Sequence, residues 1–191
     1  MNIVKIVEDI TKFVQENICD DITFYKPSDD AMGMTWEPSR VNPIAFPMFT
    51  PPKEMTLNGI TEFPSVCVQL MPSEANQITR EQDVSIRLIF GVWYPGPFSE
   101  KIEDGAEKVD SYVRNADGWK ETFRFLDHAK DVIESNSKIS DFVIDKSIPL
   151  TFGPWMEDDT LVNSYPYFFS WLRFSIKSGT FIRKIESYEY L

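Results

Sequence analysis

Few residues in this sequence combine the type and the spacing that chemistry requires. The sole histidine, His128, follows Asp127 inside a segment of helical periodicity, where a lone imidazole reads as a helix-surface side chain. Cys19 and Cys67 lie far apart and lack CxxC spacing, so they read as two reduced, buried thiols. Glu157-Asp158-Asp159 sets three carboxylates side by side, whereas a calcium loop needs oxygen ligands at alternating positions. No G-x-S-x-G elbow, glycine-rich phosphate loop, HExxH helix or zinc spacing occurs. The remaining carboxylates are scattered as in any acidic protein. The chain thus presents no catalytic residue, no cofactor-binding residue and no metal ligand, and a non-enzymatic role is expected.

Composition narrows the class further. The 191 residues suit one domain, 1–191, with insertions near 26–63 and 95–118. Hydrophobic residues make up 42%, enough for a real core. Fifteen Phe and five Trp are many for this length, and some of these rings are expected at contacts with other chains. Nineteen Lys and Arg against 30 Asp and Glu leave a net charge of −11, which opposes general binding to nucleic acid. No run of about 18 apolar residues predicts a membrane span, and Asn2–Glu16 alternates charge with apolar residues unlike a signal peptide. A cytoplasmic protein is expected.

The elements that position everything else centre on Asp83–Tyr94. Val84, Ile86, Leu88, Phe90 and Val92 fall on one face at period two, while Ser85, Arg87, Ile89, Gly91 and Trp93 share the other. This predicts a strand of roughly 40 Å, long for a globular protein. Pro95-Gly96-Pro97 ends it. Val66, Val68 and Leu70 predict a second core strand, an antiparallel neighbour reached through polar residues 72–82. A first helix is predicted over 2–17, with Ile3, Ile6, Val7, Ile10, Phe13 and Val14 on its stripe and Asn2 as N-cap. A short strand, Ile22–Tyr25, follows.

A second helix is predicted over 119–135, with Trp119, Phe123, Leu126, Ala129, Val132 and Ile133 on one side. Three further strands are expected at 141–144, 147–152 and 165–177, the last two joined through the acidic turn. Ile102, Ala106, Val109 and Val113 give residues 95–118 a weak helical stripe. Asn58-Gly59 predicts a two-residue hairpin turn. Residues 26–53 carry six prolines yet also Ile44, Phe46, Met48 and Phe49, which a polar linker would not. They read as an ordered arm that covers either an edge of its own core or an adjacent subunit. The order of elements predicts an α+β fold, an antiparallel sheet of about four to five strands with two main helices on one face and long loop insertions.

The N-terminal helix with Ile22-Thr23-Phe24-Tyr25, the entry Phe63-Pro64-Ser65-Val66-Cys67-Val68-Gln69-Leu70 and the strand Val84–Trp93 carry a resemblance, together with the 119–135 helix and the closing strands. They resemble the tail terminator family of long-tailed phages, lambda-type terminators included. The likeness covers about residues 3–25, 60–94 and 119–178. It implies a virion structural protein without cofactor, whose copies form a ring, hexameric in this family, on the head-proximal end of the tail tube. The ring stops tube growth and offers a surface for joining the head connector. Implied partners are further copies of the chain, the tail tube protein, the sheath protein in a contractile tail, and a connector or neck protein. DNA passes the lumen without specific binding, and no membrane is involved. The expected locations are the host cytoplasm during assembly and then the virion neck. Candidate subunit contacts are Ile44, Phe46, Met48, Phe49, Arg87, Trp93 and Trp171. Alternative readings are another head–tail connector of a phage or phage-like contractile particle, and a small acidic enzyme or ligand-binding domain.

Overall fold

The computed structural model describes residues 3–27, 39–50, 63–75, 82–101, 109–112, 115–161 and 164–178. Helix α1, Ile3–Val14, buries Ile6, Val7, Ile10 and Val14 at the predicted spacing. It widens into a π-helical turn, Gln15–Cys19, that buries Ile18 and Cys19. The carbonyls freed where a helix ends need donors from outside it. Asn42 supplies one, its side-chain amide donating to the carbonyls of Cys19, Asp20 and Ile22 at 3.2, 2.8 and 3.0 Å. Ile3 is exposed, and Asn2 lies outside the described residues.

Strand β1, Ile44–Pro47, is followed by β2, Ser65–Leu70, and β3, Gln82–Trp93. Helix α2, Gly118–Ser135, precedes β4, Lys138–Ile139, β5, Phe142–Ile144, β6, Thr151–Pro154, and β7, Tyr167–Ser178. The fold is α+β, two helices against a curled mixed sheet. Among the described residues the sheet has eight strands in the order β1-β2-β3-β7-β5-β4, with β6 also on β7 and Glu74–Ala75 on β3. β5 and β6 lie end to end along the same side of β7, so they act as one interrupted strand, with β4 beyond β5. The sheet exceeds the expected four to five strands because Glu74–Ala75, β4 and part of the arm join it.

That part is β1, which pairs parallel with β2 and so covers an edge of the chain's own core, one of the two readings of the 26–53 arm, although no strand is expected there. Proline does not prevent it, because of where the missing donor falls. The N–H groups of Ile44 and Met48 point inward, to the carbonyls of Pro64 and Val68 at 3.2 and 2.8 Å. Odd positions therefore point off the edge, where Pro47 needs no partner. The outward N–H of Ala45 donates to Gln15 Oε1 at 2.8 Å, which ties the edge to the end of α1. Phe24–Tyr25 pairs with Arg40–Val41 beside it. Residues 28–38 and the Asn58-Gly59 turn lie outside the described residues. So do Ile102, Ala106 and Val113, whereas Val109 lies in a strand rather than a helix, with Phe98–Lys101 pairing against Val109–Tyr112.

The core lies between the helices and one face of the sheet. Val66, Val68, Ile86, Leu88, Phe90, Leu172 and Phe174 meet Ile6, Ile10, Phe125, Leu126, Ala129 and Ile133 there. Phe125 is central, its ring 4.7 Å from that of Phe24 and 4.9 Å from that of Phe90. Full burial of such a ring contributes about 2–3 kcal/mol. Polar contacts also cross this interface, Thr122 Oγ1 meeting Ser170 Oγ at 2.9 Å and the Ser170 hydroxyl lying 3.3 Å from the Thr122 carbonyl, with both residues buried. The stripe of α2 is rotated from its expected position. Thr122, Phe125 and Leu126 face in, and Trp119 is 52% exposed. Phe168 explains this. A Cβ on Gly118 would stand 2.2 Å from the Phe168 ring, so the helix start fits over that ring only as glycine. Gly118→Ala should therefore destabilise by about 1–3 kcal/mol, although alanine is the better helix former by about 1 kcal/mol. Urea denaturation measures this, and an unchanged or raised midpoint would rule out the Phe168 contact as the reason for glycine.

Candidate functional site

Strand pleating sends alternate residues to the face away from the helices, and the register shows which ones. Ile44 and Phe46 stand beside Ser65 and Cys67. Ser65, Cys67 and Gln69 stand beside Gly91, Ile89 and Arg87. These in turn face Phe169, Trp171 and Arg173, and Trp93 faces Tyr167. None of these residues belongs to the helix-facing core. This second face thus brings together five of the seven candidates, Ile44, Phe46, Arg87, Trp93 and Trp171. Met48 and Phe49 follow at the end of β1, 43% and 68% exposed.

The face is partly filled by its own chain. Gly91 leaves a flat spot on which the Phe63 ring rests, since a Cβ there would lie 2.6 Å from Phe63 Cε1. Phe63 also meets Tyr167 and Phe169, with centroids at 4.8 and 5.8 Å. Trp93 is 7% exposed within the single chain, so it needs no neighbour to cover it, and Phe46 at 9% belongs to its own protomer as well. Ile44, Arg87 and Trp171 are half-buried. Trp171 Nε1 donates to the Pro154 carbonyl at 3.0 Å.

Two cations stand directly opposite each other here, Arg87 on β3 and Arg173 on β7. Arg87 Nε and Nη2 donate to Gln69 Oε1 at 3.1 and 2.7 Å, and the Trp155 ring lies over its guanidinium at 5.4 Å. Arg173 Nε donates to Ser85 Oγ at 2.6 Å. Neither guanidinium pairs with a carboxylate among the described residues. Lys177, further along β7, pairs with Asp145 Oδ2 at 2.9 Å.

Asp145 sits where the edge breaks between β5 and β6, and its N–H donates to the Ser175 carbonyl at 2.8 Å. Its Oδ1 accepts the Ser147 hydroxyl at 2.6 Å and the Ser147 N–H at 3.0 Å. The Ser147 hydroxyl, then Lys177, hold this carboxyl down at about 2. A cavity opens under the break, lined by Lys130, Ile133, Asp145, Lys146, Pro149 and Phe174. Its polar groups answer one another. Lys130 pairs with Glu134 at 3.5 Å, and Lys146 donates to the Glu134 carbonyl at 2.8 Å.

The residues singled out for chemistry remain separate. Cys19 and Cys67 are free and buried. Burial pushes the Cys67 thiol up to about 11 and the Cys19 thiol higher still, so neither is a thiolate at neutral pH. His128 is half-buried on α2, and its Nε2 has no hydrogen-bond partner. Among the described residues no cluster of His, Cys, Asp and Glu is placed to hold a metal, and no helix is long and apolar enough to cross a membrane. Arg173, Phe63 and Trp155 join the site although sequence reasoning did not nominate them. Arg173 was visible as one alternate residue of a strand, but its position opposite Arg87 depends on a long-range register that local patterns do not carry. No protein-family model matches the chain, and no curated protein sequence matches it.

Asp145 gives a signed pH dependence. Its pKa falls from 3.8 to about 2 on folding, so the fold stabilises the ionised form. That contribution is complete above about pH 4 and is lost as pH falls through about 2. Asp145→Asn should therefore cost about 2 kcal/mol at pH 7, with the gap from the wild type closing between pH 4 and pH 2. Denaturant titrations across this range provide the check, and a gap that stays constant would assign the loss to packing instead.

Proposed function

We propose that this chain is a structural assembly protein of a phage tail, a terminator whose copies close into a ring on the head-proximal end of the tail tube. In that role the ring stops tube polymerisation and presents its other side to the head connector. The reading is carried by the placement of exposed apolar side chains at two opposite edges of one sheet. Met48 and Phe49 lie at the β1 edge, and Phe152, Met156 and Leu161 lie at or just beyond β6 on the other. A two-fold dimer pairs one patch with its own copy, whereas a closed ring pairs two different patches head to tail. Two separated patches on one protomer suit the second arrangement. The ring itself and its six-fold symmetry come from the terminator resemblance, and the α+β fold with both helices on one face is compatible with it.

Light scattering and electron microscopy of the purified protein, alone and with tail tubes, test the reading. Rings seated on one tube end are expected. Monomers at every concentration, with tubes present, would remove it. In the phage, loss of the gene should give overlong tubes, and tails of normal length without heads would instead make the protein a connector.

Two neighbouring phenylalanines separate assembly from folding. Phe49→Ser should change protomer stability by less than about 0.5 kcal/mol, as exposed substitutions do, yet raise the concentration needed for ring formation about tenfold or more. Phe46→Ser should lower stability by about 3 kcal/mol, the scale for losing a buried phenylalanine. Thermal melts read beside light scattering distinguish the two, and equal effects on assembly from both would take the β1 edge out of the contact.

A further inference from the structure

The second face carries a charge pattern that apolar contact alone leaves unexplained. Arg87 and Arg173 face each other across β3 and β7. Like charges directly opposite on a sheet destabilise it, and the residues around this pair are neutral donors and acceptors. Gln69 and Ser85 hold the two guanidiniums through oxygen atoms, and Trp155 stacks over one of them. Arg173 is exposed and Arg87 half-buried, so guanidinium N–H groups remain available. In a chain of net charge −11, two adjacent cations with no carboxylate paired to them among the described residues stand out.

The complementary group is on the same molecule. Met156–Glu157 pairs with Thr160–Leu161 in a hairpin beyond β6. Asp158 and Asp159 form its two-residue turn with φ of 46° and 60°, the left-handed pair that a tight hairpin requires. Glu157, Asp158 and Asp159 are all exposed, and no cation pairs with them among the described residues. Met156 and Leu161 flank the tip, 45% and 62% exposed.

We infer that the acidic hairpin tip of one copy docks on the Arg87–Arg173 pair of the next, with its two apolar flanks seated on the aromatic surface around Trp155 and Trp171. This rests on the ring reading and names the contact that closes it. A guanidinium donates to a carboxylate through two parallel N–H groups, and two guanidiniums side by side hold two carboxylates in a fixed orientation. Neither group meets an opposite charge among the described residues of one chain, and two copies would match them, which is the condition for a head-to-tail contact. A second copy is favoured over a nucleic-acid phosphate because the net charge of −11 repels a polyanion as a whole, while a short acidic hairpin brings its carboxylates on an apolar mount.

The test is a charge exchange in the full chain. One variant carries Arg87→Glu and Arg173→Glu. A second carries Glu157→Lys and Thr160→Lys with Asp158→Asn and Asp159→Gly, which keeps a favoured turn at the tip and so leaves the fold undisturbed. Each alone should raise the half-assembly concentration about thirtyfold or more, and the chain carrying both sets should assemble near the wild-type concentration. Thermal melts establish that each variant is folded. Variants that assemble like the wild type would overturn the docking while the ring stands, as would a combined chain that gains nothing over the singles. A wild type that never assembles would overturn both. A fluorescent DNA oligonucleotide bound by the wild type and lost in the arginine variant, with assembly unchanged, would give the pair to phosphate instead.

Discussion

The 12-residue strands β3 and β7 pair along their whole lengths, from Trp93 with Tyr167 to Gln82 with Ser178, and nearly every other placement depends on that register. Side chains alternate between faces, so a shift of one residue would bring Arg173 under the helices and turn Leu172 and Phe174 outward. Apart from Ser170, which bonds to Thr122, the helix-facing positions of β3 and β7 within the core are apolar, so such a slip is not tolerable. β2 then adds to one edge of this pair and the interrupted β5–β6 strand to the other. Helix α2 takes its seat from the same pair. Gly118 rests over Phe168, and Thr122 reaches Ser170 one step further along β7.

Fixing one face in this way also fixes the composition of the other. The positions left over include Arg87, Ile89, Gly91, Phe169, Trp171 and Arg173, a mixture that neither a dry core nor a free surface would select. Phe63 and Trp155 cover parts of it from within the chain. The opposed arginines remain a local cost, softened by Gln69 and Ser85 without being neutralised. Features that cost stability and are nonetheless built with such care are the places where a surface serves something beyond its own folding.

Much of this was legible in the sequence where one period governs a long segment. The stripe of α1, the core face of β3 and the alternation of β7 could all be read directly, because each follows from local repetition. The arm covers an edge of its own core, one of the two readings its composition offers, but its strand is not legible in the sequence, for a definite reason. Six prolines argue against regular structure, yet a proline on an edge strand is neutral when its missing N–H points outward, and that direction depends on a partner strand elsewhere. Trp119 was assigned inward because large apolar residues usually are, and a single contact between Gly118 and Phe168 rotated it out. Of the candidate site, the residue types were visible but their convergence was not. Trp93 and Phe46 drew suspicion as rings in excess, and both prove to be covered within the protomer.

Charge and apolar edges would together limit how a ring of such subunits forms. Apolar patches on opposite edges invite open-ended stacking, since head-to-tail contacts close only when the rotation between copies suits. A net charge of −11 per copy makes every loosely fitted neighbour repulsive. Only a contact that offsets this repulsion locally can persist, and opposed arginines meeting an acidic tip would supply such an offset at one orientation. Salt then acts in two directions on the assembly. It screens the long-range repulsion between copies, which lies beyond a Debye length of about 8 Å in physiological salt, and more weakly screens the close pairing within the contact. Misoriented encounters gain from added salt while the specific contact loses, so the charge that disfavours association in general is also what makes the proposed contact selective.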